Sequence, residues 1–549
     1  MHVLLTCRND KVAKANLERG IAASEGHMKL KVSLLIAVQA LTILCARAQN
    51  VQPLETKIDA IVNRPQFRHA QFGIEIYSLT DDKVLYALNA DKLFVAGSVT
   101  KLVTEGTALQ LLGADYRFHT RIYRTGPIAT GGVVQGNLVL VASGDPNLSN
   151  RVRSPDTLIF ENNDHAYGNI EAATLVPGDP LQVIRDLAKQ VAAKGIKRIT
   201  GRVVVDVSLF PEGTREGGTD VVISPVCVND NVIDVMVEPG KTPGSPTSLQ
   251  VFPATTYATF QNEVTTAAAD STAEIEFVPT QNADGTVVVK VRGTIPAGSG
   301  ARPFPFAVPQ PSRFAEVALS EALQQAGVDI GPPLLSTATP DWKTLRPFTS
   351  ENQVAEYISP PLKEDVKVTL KVSQNVHASM MPYLLGAALN NEHADALQAG
   401  FKQERDFLQR ANLDPLAATQ SDGAGAAARF TPDFMVKFLV FMAKQKDFRS
   451  FHDALPILGR DGTLADIMRD SPVAGRLHAK TGTHAGGDLL NEQIVVNGKG
   501  LAGYLETKNG KQIIVAVFAN NVPVGPDVQA IFRLGDVLAE IAATPYDLQ

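Results

Sequence analysis

The chain changes texture twice along its length, and the two changes constrain its architecture more than any single residue. Up to about residue 117, and again from about 346 to the end, helical periodicity alternates with a few β-rich runs. Across 118–345 the pattern breaks into short β-like runs between glycines, and 240–310 is rich in Thr, Ala, Val, Gly and Pro with almost no helical pattern. At 549 residues the chain is long enough for more than one domain. The expected layout is one α/β domain assembled from both ends, 49–117 with 346–549, interrupted by a β-rich inserted lobe, 118–345, of two subdomains.

Local signals place elements within that layout. A strand over 72–77, a turn over 80–83 and a return strand over 84–88 lead to Ser98, which opens a helix that Gly113 stops. In the insert, strands are expected at 121–124, 136–141, 201–207 and 231–237. One helix there is capped by Asp179, carries Pro180 at its first position and ends at Gly195; another runs from Ser312 to Gly327. Beyond 346, residues 362–389 are mostly helical and Thr431-Pro432-Asp433 starts a further helix. Strands follow at 477–482, 501–505 and 513–518, the last two joined by the hairpin signal Asn509-Gly510. An amphipathic helix over 527–542 closes the chain.

Residues 28–48 read as a secretory signal. Lys29 and Lys31 precede an apolar stretch over 32–44, and Ala46-Arg47-Ala48 matches an A-x-A cleavage site. Cleavage is expected after Ala48, since Leu44 is too bulky for a lipoprotein site at Cys45. Such a segment belongs at the initiator, so Met28 is read as the true start, residues 1–27 as upstream sequence, and the protein as exported to the periplasm. The stretch is too short for a comfortable membrane span; no transmembrane anchor is expected, with peripheral association left open.

Composition narrows the class further. A hydrophobic content of 44% and a charged content of 20% are those of a globular protein. With a net charge of −6 and no basic run interleaved with aromatics, no nucleic-acid partner is expected. Cys7 and Cys45 fall outside the expected mature chain, which leaves Cys227 without an internal disulfide partner and read as a small apolar packing residue. No Cys/His cluster has zinc spacing, so neither metal nor cofactor is expected.

Three short motifs carry chemistry. Ser98-Val99-Thr100-Lys101 is the only Ser-x-x-Lys in the chain, and on a helix its two ends lie one turn apart on one face. A serine hydroxyl attacks well only when a neighbour takes its proton, and a lysine can do so if burial and nearby cations depress its pKa. Lys101, as that base, is expected to be largely neutral at rest. Taken alone, Ser98 reads equally as a helix N-cap. Ser373-Gln374-Asn375, between two helical stretches, offers a hydroxyl to relay a proton and an amide to bind substrate; a second Ser-x-Asn, Ser350-Glu351-Asn352, lies at the presumed lobe junction. Lys480-Thr481-Gly482-Thr483 holds the only Lys-Thr-Gly. Lys480 offers a cation for a substrate carboxylate and for lowering the pKa of Lys101. Thr481 and Thr483 add hydroxyls, and Gly482 allows close approach of a substrate backbone to the strand edge.

In this order, the motifs give the chain a resemblance to the D-alanyl-D-alanine carboxypeptidase/endopeptidase family of class C low-molecular-mass penicillin-binding proteins. The first two motifs lie 275 residues apart (373 − 98), the large insertion that marks the family. Gly144-Asp145-Pro146-Asn147-Leu148, Asp422-Gly423-Ala424-Gly425 and Asp461-Gly462-Thr463-Leu464 are similar too. The resemblance implies a penicillin-recognising, β-lactamase-like α/β (α+β) domain, an antiparallel sheet with helices. It implies Ser98 as the acylated nucleophile, Lys101 as its base, Ser373 assisting proton transfer beside Lys480, and Asn375, Thr481 and Thr483 holding substrate. The backbone N–H groups of Ser98 and Thr483 would form the oxyanion hole. The implied substrate is the D-Ala-D-Ala end of peptidoglycan stem peptides, with β-lactam antibiotics as inhibitors. Gln374 stands where an acid is usual, Ala424 where a serine is usual, and extra residues precede Leu501. These departures keep a weakened peptidoglycan-binding homologue as one alternative, and a β-lactamase is another.

Overall fold

The computed structural model describes residues 53–167, 173–330, 345, 348–390 and 393–548. The signal segment, its cleavage site, the start at Met28, Cys7 and Cys45 lie outside the described residues. A helix, Leu54–Val62, opens the described chain.

The central antiparallel sheet draws strands from both ends of the sequence, in the order Lys83–Leu88, Gln71–Ser78, Gln512–Asn520, Gln493–Glu506, Leu477–Asp488. A short strand, Val522–Gly525, pairs beside Gln493–Glu506. Ile74 lies opposite Val517 and Ile76 opposite Val515, which joins the N-terminal hairpin to the C-terminal strands. Residues 513–519 are all buried. A strand covered on both faces reads as a continuous apolar run rather than an alternation, and Ile513-Ile514-Val515-Ala516-Val517-Phe518 does so. The covering elements are Pro432–Ala443 and, separately, the closing helix Gln529–Ala543. Thr431 caps Pro432–Ala443 by accepting the N–H of Phe434 at 3.1 Å.

Lys101–Leu112 lies within this domain's core. Its Val103 and Leu109 have no exposed surface and cluster with Leu370, Met380, Met381, Phe438 and Phe518. A Cβ on Gly106 would fall 2.7 Å from the Phe438 ring, so the glycine makes room for that aromatic. Cys227 is fully buried in the same cluster, and burial pushes its thiol pKa up.

Residues between the first and second motifs supply most of a second buried cluster. One sheet runs Val203–Asp206, Leu138–Val141, His119–Arg124, Gln353–Ile358, beside the helices Gln182–Ala193 and Pro311–Gln325. Val232–Glu238 pairs with Ser248–Phe252 and Arg302–Ala307, and Val287–Pro296 with Ala258–Ala267 and Glu274–Gln281. Ile122, Leu140, Ile184, Leu187, Val235, Val289, Phe314 and Ala355 belong to one buried cluster. The strand Gln353–Ile358 pairs with His119–Arg124, so this sheet reaches past residue 346 before the chain returns to the central domain.

Two elements differ from the sequence reading. The helix expected to begin at Pro180 starts at Gln182, after a turn in which Asp179 accepts the N–H of Leu181 at 3.0 Å. The strand expected over 477–482 extends to Asp488 and its partner starts at Gln493, so the extra residues before Leu501 lengthen a hairpin. Glycine- and polar-rich sequence there hides a pairing supplied by the neighbouring strand. Phe438→Ala is expected to cost about 3–5 kcal/mol through the cavity left against Gly106, read as a lower urea midpoint at unchanged slope.

Candidate active site

A single turn of 3-10 helix, Gly97–Thr100, carries Ser98 into the α-helix that begins at Lys101. The turn has no side-chain cap, so the serine oxygen is spared for another partner. Two glycines bring the turn against the Lys480 strand. A Cβ on Gly482 would lie 2.0 Å from the Ala96 carbonyl oxygen and 3.0 Å from the Ser98 nitrogen. A Cβ on Gly97, at φ +53°, would lie 2.7 Å from the Thr483 nitrogen. Both distances are shorter than a carbon can approach, so only glycine permits this contact.

The Lys101 amine lies at the centre of the site. Its Nζ is 2.8 Å from Ser98 Oγ, 2.7 Å from Asn375 Oδ1, 3.3 Å from the Ala424 carbonyl oxygen and 3.4 Å from Ser373 Oγ. Lys480 reaches the same serine, its Nζ donating to Ser373 Oγ at 2.8 Å and to its neighbour's carbonyl, Thr481 O, at 2.9 Å. Neither lysine has any exposed surface, whereas Ser98 is half-buried. Ser373 follows the helix Leu362–Lys371 and precedes Asn375–Asn390. It adopts φ +65°, a left-handed conformation that costs a non-glycine residue on the order of 1–3 kcal/mol and marks functional turns.

Burial disfavours a positive charge on both amines. It lowers Lys101 to about 8, opposed by the negative charges of Glu216, Asp422 and Glu105. Lys480 is pushed well below the ordinary lysine range by burial first, then by the cations of Lys101 and Lys499. Two ammonium groups on one hydroxyl repel, which adds to burial in disfavouring a positive charge on both amines. The downward direction at Lys101 is the one a lysine base needs. The geometry around Lys101 serves both protonation states. As an ammonium it donates to Ser98, Asn375 and Ala424; as an amine it donates to Asn375 and Ala424 and accepts from the Ser98 hydroxyl.

The remaining expected residues are placed as follows. The Thr481 hydroxyl donates to Thr463 Oγ1 at 2.8 Å, and Thr483, exposed on the strand, accepts from Lys499 Nζ at 2.8 Å. Ala424 contributes its backbone carbonyl, so its side chain does not decide the bond to Lys101. Asp422 holds that loop by accepting the N–H of Ala424 at 2.8 Å. Gln374 has its amide in a buried cluster of the inserted lobe, donating to Asp230 at 3.2 Å and accepting from the Val376 N–H at 2.9 Å. Ser350-Glu351-Asn352 lies near the edge strand Gln353–Ile358, where the Asn352 carbonyl accepts from Arg124 N at 2.9 Å.

Sequence reasoning missed Tyr167, whose hydroxyl shares its one hydrogen between the Ser373 carbonyl oxygen and, at 2.9 Å, Asn375 Oδ1. It missed Asp230 as well. Both lie in polar loops without motif or periodicity. Among the described residues, Asp164, His165 and Asp230 form one trio with metal-type ligand atoms close together. The Arg151 guanidinium already bridges both carboxylates, at 2.5 and 2.6 Å, and supplies the cation that such a trio needs.

This sheet, helix layer and serine–lysine centre are those of the penicillin-recognising fold. The solved structure of penicillin-binding protein 4 (dacB) from Haemophilus influenzae superposes with a TM-score of 0.67 at 19% identity, covering 88% of this chain and 98% of that one. The model of the D-Ala-D-Ala carboxypeptidase 3 (S13) family matches residues 54–539, and the chain belongs to that family. It is 26% identical over 489 residues to the D-alanyl-D-alanine carboxypeptidase of Actinomadura sp. (strain R39), covering 85% of this chain and 82% of that protein. It is 23% identical over 431 residues to D-alanyl-D-alanine carboxypeptidase DacB of Haemophilus influenzae, covering 75% and 78%.

Gly482→Ala tests the contact that seats the nucleophile. A side chain 2.0 Å from the Ala96 carbonyl forces the strand and turn apart by more than 1 Å. A displacement of that size at reacting groups costs about 100-fold in rate. Acylation by a fluorescent penicillin is expected to slow by about that factor while the far-ultraviolet circular dichroism stays native.

Proposed function

We propose that this member of the serine D-Ala-D-Ala carboxypeptidase family acts outside the cytoplasm on the D-Ala-D-Ala ends of peptidoglycan stem peptides, through an acyl-enzyme on Ser98. The observation that carries the reading is the convergence of Ser98, Lys101, Ser373 and Lys480 on one hydrogen-bonded chain. Once Lys101 has lost its own proton, its amine takes the Ser98 proton as Oγ attacks the scissile carbonyl, and the Ser373 hydroxyl links it to Lys480. The Ser98 and Thr483 N–H groups receive the oxyanion, and the same hydroxyl chain returns a proton to the departing D-alanine amine. Water then cleaves the ester. β-Lactams enter the same path and stop at the acyl-enzyme.

Export rests on the basic, apolar and A-x-A segments of 28–48. Among the described residues no helix is long and apolar enough to cross a membrane. The weakened-homologue alternative drew on Gln374 and Ala424. Neither side chain belongs to the proton chain, which favours the active reading. A β-lactamase needs a further base to activate water on the acyl-enzyme. Glu216 is spent on the N–H groups of Gly218 and Thr219, and Asp422 on its own loop.

A fluorescent penicillin is expected to label the protein and not Ser98→Ala, and the protein to release D-alanine from a pentapeptide stem. No label on the wild type, or equal label on both, contradicts the proposal. The pH profile has a defined sign. Ser98 is activated only when Lys101 has lost its proton, and its pKa is about 8. Below that value the acylation rate is expected to rise about tenfold per pH unit, and above it to level off. A rate that stays flat from pH 6 to 9 would contradict the role of Lys101.

A further inference from the structure

We infer that Tyr167, supplied by the inserted region, is a positioning residue for acylation: its hydroxyl sets the Asn375 amide and the Ser373 backbone relative to Lys101. The inference rests on the acyl-transfer reading above. Two donors converge on Asn375 Oδ1, Lys101 Nζ at 2.7 Å and the Tyr167 hydroxyl at 2.9 Å. That convergence leaves the amide one orientation, with Oδ1 on the lysine and Nδ2 directed toward Gly218, where a Cβ would meet it at 2.6 Å. The same tyrosine hydroxyl shares its hydrogen with the carbonyl of Ser373, the residue held at φ +65° between the two lysines. A side chain from outside the three motifs thus fixes both polar groups of the second one.

Tyr167 is itself anchored. Its N–H donates to the Asp164 carbonyl at 3.1 Å, and the Asp164 carboxylate is paired with buried Arg151. Arg151 also pairs with Asp230. Asp230 in turn accepts from Gln374 at 3.2 Å and lies 2.9 Å from His377 Nε2. The chain Tyr167–Asp164–Arg151–Asp230–Gln374 therefore closes a ring of contacts around the Ser373 turn. This ring gives Gln374, the unusual residue of the motif, a partner in the inserted region.

The test is a double-mutant cycle on the full chain, read as the second-order rate of acylation by a fluorescent penicillin. Tyr167→Phe keeps the ring and removes the donor, so its rate is expected to fall about tenfold with a thermal midpoint close to that of the wild type. Asn375→Ala is expected to fall further. In the Asn375→Ala background, adding Tyr167→Phe is expected to change the rate by less than about threefold, because much of what the hydroxyl positions is already gone. Tyr167→Leu separates the hydroxyl from the ring: a loss with leucine and none with phenylalanine would overturn the hydrogen-bonding role. So would a Tyr167→Phe rate within twofold of the wild type, or losses that multiply in the double variant. If the wild type is not acylated at all, the acyl-transfer reading fails and this inference with it; a labelled wild type matched by Tyr167→Phe overturns the inference alone.

Discussion

Two lysines without exposed surface end on one serine hydroxyl, and the rest of the site follows from that arrangement. Each buried ammonium loses its hydration, and the two together add repulsion, so both amines are pushed below the ordinary lysine range. The acids Glu216, Asp422 and Glu105 oppose the shift at Lys101, whereas Lys480 has only cations among its charged neighbours. Ser373 lies between them at hydrogen-bonding distance from both. A proton can therefore change owner without crossing solvent, which is what a base that must be charged in one step and neutral in the next requires.

Holding that chain together demands contacts that ordinary side chains prevent. Gly97 and Gly482 let a helical turn and a strand edge touch at backbone distance. Ser373 accepts a left-handed backbone that a serine does not choose by itself. The strain is offset by bonds around it: two amines on the hydroxyl, a tyrosine on the carbonyl, and Gln374 tied to a buried arginine–carboxylate cluster. Tyr167, Arg151, Asp164 and Asp230, all between the first and second motifs in sequence, belong to this scaffold.

The sequence made the central domain legible because its signals are local. The Ser98 turn, the Thr431 cap, the Asn509-Gly510 hairpin and the apolar run 513–518 each state their conformation within a few residues. The motif residues were legible for the same reason. What could not be read depends on partners far away in the chain. The strand residues 484–500 owe their pairing to each other across a polar hairpin. Tyr167 is 206 residues from the carbonyl it holds. Glu216 and Asp422, acids that no pattern links to Lys101, oppose the effect of burial on its amine. Gln374, a departure from the motif's usual acid, is tied to Asp230, 144 residues away in the chain.

The two amines can be observed directly. In protein labelled with 13C at lysine Cε, with Lys101→Met and Lys480→Met used for assignment, a pH titration by nuclear magnetic resonance reports each amine. The account predicts that Lys101 titrates near 8 and that Lys480 titrates well below the ordinary lysine range. Two resonances that both titrate near 10, as for exposed lysines, would contradict it.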